Sequence, residues 1–137
     1  MTTTTAYGGC DMKQLLEDTL KAIKESGHRE EDVDYVGSLD GRLRVSWRDA
    51  RTILDIDYPD FAPSLHICYD LCIRFKDGSG LTRDRFEDGY YGFRAWMLHT
   101  DMPEPLPKVA AFKYVRTVPW GDTLADTNYP CGLPEGN

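Results

Sequence analysis

Leu65-His-Ile-Cys-Tyr-Asp-Leu-Cys-Ile-Arg-Phe75, followed directly by Lys76-Asp-Gly-Ser-Gly80, decides the fold class. Leu65, Ile67, Tyr69, Leu71, Ile73 and Phe75 alternate with His66, Cys68, Asp70, Cys72 and Arg74, the period of two that marks a strand covered on one face. The pattern predicts a central strand over 65–75. Lys76 to Gly80 has the length and composition of a hairpin turn, and Leu81 to Phe86 returns as the partner. Glu87-Asp-Gly89 makes a second turn, and Tyr91 to Leu98 is aromatic enough for a third antiparallel strand, with a short helix as the alternative over Ala95 to Leu98. The expectation is a meander.

Upstream, the periodicity changes. Met12, Leu15, Leu16, Thr19, Leu20 and Ile23 recur at helical spacing, Asp11 stands where a cap belongs, and Gly27 ends the run. Lys13, Glu17, Lys21 and Glu25 lie four residues apart with alternating sign on the opposite, solvated face. Tyr35 to Gly37 and Leu43 to Val45 flank an Asp40-Gly41 turn and predict a short hairpin. Ser46 with Asp49 resembles a capping box, which opens a short helix over 47–54 with Trp47, Ala50, Ile53 and Leu54 facing inward. Asp55 to Pro63 contains two prolines and reads as an acidic loop, one flank of which can pair as an edge.

Downstream, Pro103, Pro105 and Pro107 impose an extended linker, and Val109 to Val118 reads as a last strand. The predicted organisation is a single domain: a loose lead-in over 1–10, a core over 11–118 and an irregular tail over 119–137 that carries Trp120 and Tyr129. The predicted class is α+β, with an antiparallel sheet of about four strands packed against the N-terminal amphipathic helix and one short helix.

Composition narrows the function. A chain of 137 residues with 41% hydrophobic and 28% charged residues has enough apolar material for a core without disulfides or metal. A net charge of −7 argues against direct nucleic-acid binding, which relies on clustered Lys and Arg. No apolar run approaches the ~18 residues of a membrane span. The opening Met-Thr-Thr-Thr-Thr-Ala-Tyr lacks the regions of a signal peptide, so a cytoplasmic protein with free thiols at Cys10, Cys68, Cys72 and Cys131 is expected.

Catalytic signatures are missing. There is no P-loop, no dinucleotide fingerprint, no G-x-S-x-G and no H-E-x-x-H. His66, Cys68, Asp70 and Cys72 are zinc-competent types on one strand face, but four ligands on one straight strand span too far to surround an ion. Small apolar packing is the simpler role for the cysteines, and a nucleophile–base pair of Cys68 or Cys72 with His66 or His99 lacks the exposed setting of a reactive thiolate. Asp55, Asp57 and Asp60 lack the Gly and distal Glu of a calcium loop. Asp84, Glu87 and Asp88 beside Arg83 and Arg85 are explained by turn chemistry before paired-carboxylate catalysis. The expectation is no enzyme, no metal and no cofactor. Tyr58, Phe61, Tyr90, Tyr91, Phe93 and Trp96 gather around two acidic loops, a composition common at protein-recognition surfaces, with core packing claiming about half of them.

Trp47, then Asp55 with Tyr58 and Asp60, Asp70-Leu-Cys-Ile-Arg-Phe75, Asp77-Gly78, Leu81 to Arg83, and Phe86-Glu-Asp-Gly89 before Trp96 follow one another in an order that resembles a group of small uncharacterised proteins of bacteriophages and related mobile elements. The resemblance spans about a third of the chain. Departures are Pro59, where the group has Asp-x-Gly, and an insertion around Tyr90 to Phe93. The resemblance implies a phage origin, and by analogy an inhibitor of an anti-phage system such as CRISPR. The expected function is therefore a phage-type accessory protein that binds and occludes a basic surface of a host protein or ribonucleoprotein complex. Asp55, Asp57, Tyr58, Asp60, Glu87, Asp88, Tyr90 and Tyr91 are the expected contacts. A small enzyme or metal-binding domain and a structural phage component are the alternatives.

Overall fold

The computed structural model describes residues 12–59, 66–86 and 93–134, with backbone alone at 84–86 and 93–95. The elements in chain order are β1 (Met12–Gln14), α1 (Leu15–Glu25), a 3-10 turn (Glu30–Asp32), β2 (Val33–Ser38), β3 (Arg44–Val45), α2 (Trp47–Ile53), β4 (Asp57–Pro59), β5 (Leu71–Phe75), β6 (Gly80–Phe86), β7 (Phe93–His99) and α3 (Leu124–Asn128). The fold is α+β: a five-stranded antiparallel sheet in the order β3-β2-β5-β6-β7 and a two-stranded β1-β4 ribbon.

The predicted 65–75 strand is shorter than the alternation suggested. Leu65 lies outside the described residues, and within 66–75 only Leu71–Phe75 is regular, because residues 67–69 bond elsewhere. Ile67 makes an isolated bridge with Arg116, Cys68 N–H donates to Val115 O, and Tyr69 N–H donates to Asp122 O. Within β5 all five residues are buried, so the strand is covered on both faces.

Register shows what covers each face. Val36, Ile73 and Leu81 stand opposite one another across β2, β5 and β6 and share the core with Leu15 and Ile23 of α1. On the other face Cys72 pairs with Gly37 and Thr82, and Arg74 with Tyr35 and Gly80. The proline segment covers that face as a docked strap. Arg74 Nη2 donates to Pro103 O at 2.7 Å, Arg44 Nη2 to Leu106 O at 2.6 Å, and Leu106 N–H to Asp40 O at 2.8 Å. Each guanidinium satisfies carbonyls whose own residues lack a partner strand, which explains a charged side chain as buried as Arg74. A Cβ at Gly80 would meet Ile73 O and the Met102 side chain, so glycine permits the strap to pass close.

Two further expectations shift. The first helix begins at Leu15, and residues 12–14 are instead extended against 57–59. Gln14 provides the cap, its Oε1 accepting Glu17 N–H at 2.8 Å, while Asp11 lies outside the described residues. Gly27 at φ +83 closes the helix as read. Val109 to Val118 forms no strand: Val109 and Ala110 N–H donate to Arg42 O, whereas Lys113 and Tyr114 N–H are taken by the Asn128 side chain. Among the described residues no helix is long and apolar enough to cross a membrane.

Candidate functional site

Asp55 and Asp57 lie on a turn whose backbone is fixed from three directions. Leu15 N–H donates to Ile56 O at 2.9 Å, β1 pairs with β4, and Arg116 Nη2 donates to Asp57 O at 2.7 Å. Gln14 Nε2 donates to Asp55 Oδ1 at 2.5 Å. Both carboxylates are exposed at this rigid turn.

Tyr58 departs from the expected surface role. It is 2% exposed, its hydroxyl donates to Asp18 Oδ2 at 2.8 Å, and the Arg83 guanidinium lies 5.8 Å from its ring. The β alternation explains this: Asp57 points out, so Tyr58 points in. Burial pushes its phenol up to about 12, against the opposing charge of Arg83. The same guanidinium lies 5.1 Å from the Trp96 ring, and Trp96 Nε1 donates to Thr19 Oγ1 at 3.1 Å. Tyr58 and Trp96 thus join the sheet to α1. Asp60, Phe61, Glu87, Asp88, Tyr90 and Tyr91 lie outside the described residues.

His66, Cys68, Asp70 and Cys72 do not converge. Cys68 Sγ meets Thr127 Oγ1 at 3.4 Å, Cys72 Sγ donates to Ser38 O at 3.5 Å, and Asp70 Oδ1 accepts Leu124 N–H at 2.9 Å. Among the described residues no group of three or more His, Cys, Asp or Glu side chains could hold a metal ion. Burial pushes both thiols up to about 12, which suppresses the thiolate. Iodoacetamide labelling of the native protein should therefore modify exposed Cys131 and spare Cys68 and Cys72 until denaturant is added, as peptide mass mapping would show. Labelling of either buried thiol at the Cys131 rate would contradict this burial.

Other side-chain groups were not foreseen. His28 stacks on Phe75 at 3.8 Å between ring centroids, and its Nε2 meets both Asp77 Oδ2 at 2.9 Å and Ser79 Oγ at 3.3 Å. Its Nδ1 is held by Ser26 Oγ at 3.0 Å. Ser79 shares Nε2 with Asp77, and Ser26 on the opposite nitrogen donates its hydroxyl proton to Ile23 O at 2.7 Å and not to the ring, so neither serine is set up as a triad nucleophile and the set is a clasp joining the end of α1 to the β5–β6 turn. Hydrogen bonds from Ser79 and His28 hold Asp77 well below the usual carboxylate range. At the β2–β3 turn, a cavity of about 260 Å³ brings Asp40 and Asp70 together. Asp40 is partly buried, but Ser38 and Arg42 outweigh that and hold its carboxyl low, whereas burial lifts Asp70 to about 6.

An apolar cavity of about 420 Å³ lies between the end of α2 and residues 113–120. Tyr114 and Trp120 stand beside it, 62% and 63% exposed. Sequence reading missed both, having given 109–118 to a strand and Trp120 to an irregular tail. Trp120 stands outside any alternating apolar run, which was the available signal for it, whereas Tyr114 lies inside the run that reads as a strand and carries none.

No family model, no curated protein and no solved structure matches the chain.

Proposed function

We propose that this is a phage-type accessory protein that binds a host protein or ribonucleoprotein complex and inhibits it by occlusion, as an anti-CRISPR or other anti-defence protein does. The observation that carries the reading is the fixed acidic turn, which presents Asp55 and Asp57 to solvent with little further ordering required on binding. Preorganised charge favours encounter with a basic surface and raises the association rate. The net charge of −7 supports the same partner chemistry and disfavours nucleic acid as the direct ligand. The phage resemblance of 47–96 supplies the biological setting.

Capture of the tagged protein's partners from bacterial lysate, at low and then moderate salt, tests this. The wild type should retain a basic complex at low salt and release it as salt rises. Asp55→Lys with Asp57→Lys should weaken retention by about tenfold or more, since repulsion replaces attraction at two exposed sites. Equal retention by the double variant, or no complex above background, would sink the reading and favour the enzyme or structural alternatives.

A further inference from the structure

We propose that the groove between the end of α2 and residues 113–120 binds a short acidic segment of a partner protein, anchored by an aliphatic or aromatic side chain. Its floor and walls are Ile53, Ile56, Val115, Val118, Tyr114 and Trp120. A volume of about 420 Å³ accommodates apolar side chains of a bound segment, while its backbone lies along the rim.

The Trp120 indole and the Tyr114 backbone are held in place. Trp120 Nε1 donates to Asp126 O at 3.1 Å, and Tyr114 has its N–H bonded to Asn128 Oδ1 at 3.0 Å and its carbonyl bonded to Asn128 Nδ2 at 2.8 Å. Thr127 Oγ1 donates to Arg116 O at 2.8 Å and Cys68 N–H to Val115 O at 2.8 Å, so the wall between them is tied from both sides. Exposed aromatic side chains on a fixed backbone beside an apolar cleft are the residue type and setting in which binding energy concentrates.

Charge selects the occupant. The chain has 23 Asp and Glu against 16 Lys and Arg, yet among the described residues the groove lining contains Lys113 and Arg116 and no carboxylate. Among the described residues neither cation forms an ion pair, and Arg116 is oriented by the Asp57 carbonyl. A basic patch of this kind on an acidic protein fits an acidic ligand. The aliphatic lining favours a peptide over a nucleic-acid strand, whose phosphates demand more cations than two.

The groove adjoins the Asp55 and Asp57 turn through Ile56 and Arg116, and it is tested through its own residues. The probe is a displayed library of short random peptides, panned on the immobilised full-length chain. Enriched sequences should place Asp or Glu beside Leu, Ile, Phe or Trp. A representative labelled peptide should bind about tenfold more weakly to Trp120→Ala and to Lys113→Glu, and unchanged to Lys24→Glu, which reverses an exposed charge outside the groove lining. Tyr114→Ala, at a second exposed aromatic, provides an independent variant if Trp120→Ala does not fold. No enrichment, a basic consensus, or binding indifferent to the groove variants would overturn the proposal. So would tighter, Trp120-dependent binding of a labelled oligothymidylate. None of these results alters the lysate-capture test of the acidic turn.

Discussion

Leu124→Ala should lower the unfolding free energy by about 3 kcal/mol, a loss of the size produced by cavities in well-packed cores. Leu124 is 0% exposed and belongs to the main apolar cluster with Leu71, Ile67 and Val115, although it lies far along a tail with few sequence signals of order. The helix around it is short, and propensity alone would not hold five residues helical. Its order comes from anchors: Thr123 and Asp126 form a reciprocal capping box, Asp70 accepts Leu124 N–H, and Tyr129 Oη donates to Ala111 O at 2.7 Å. Urea titration followed by tryptophan fluorescence checks the expectation, with Leu106→Ala at a half-exposed site as the control, expected to change stability by less than ~0.5 kcal/mol. If the two variants unfold at the same midpoint, α3 contributes nothing to the core.

What the sequence conveyed and what it did not separate along physical lines. Local signals were sufficient for α2, whose Ser46 hydroxyl accepts Asp49 N–H at 3.2 Å, and for the β2–β3 and β5–β6 turns, where Gly41 and Gly78 adopt φ of +84 and +92. The alternation over 65–75 divided 71–75 correctly between two faces, but it gave the wrong length and left one face uncovered where both are buried. Nothing within that segment reveals that Tyr69 N–H and the Asp70 carboxylate are committed to residues 122 and 124. The same limit explains 109–118, a β-rich run whose partners are the Asn128 side chain and the irregular backbone at 66–68. Segments that bond to side chains or distant loops carry no periodic mark of it.

The site was legible in part for the same reason. Asp55 and Asp57 could be read as exposed turn carboxylates from composition alone. Tyr58 could not be assigned to the core until β4 was known to alternate beside β1. The groove depends on residues 53–56 meeting 113–120, a contact between segments about sixty residues apart that no motif encodes.

Asp70→Asn should stabilise the protein by up to about 3 kcal/mol at pH 7.5 and leave it unchanged near pH 4. Burial is the main reason that the Asp70 carboxyl titrates at about 6 and not at 3.8, reinforced by Asp40 and Asp122 and opposed by the Leu124 amide. The folded state therefore holds this proton more tightly than the unfolded chain does. Its contribution is fully present below pH ~4, declines as pH rises toward 6 and stays lost above that. Asparagine keeps a carbonyl oxygen for Leu124 N–H and removes the charge, so the difference between variant and wild type should grow across this window and then level. Asp40 and Asp77, whose carboxyls are held low, lose stability in the opposite direction at more acidic pH, but they are present in both proteins and largely cancel in the difference. Asp70→Ala separates the two effects, because it removes the acceptor as well and leaves the amide of a fully buried residue without its partner, at a cost of about 1–2 kcal/mol. Denaturant midpoints measured from pH 4 to 8 should thus rank Asn above Ala at every pH. A wild-type profile parallel to that of Asn would mean that Asp70 is solvated and ionised throughout, and the carboxyl would then be only a helix cap.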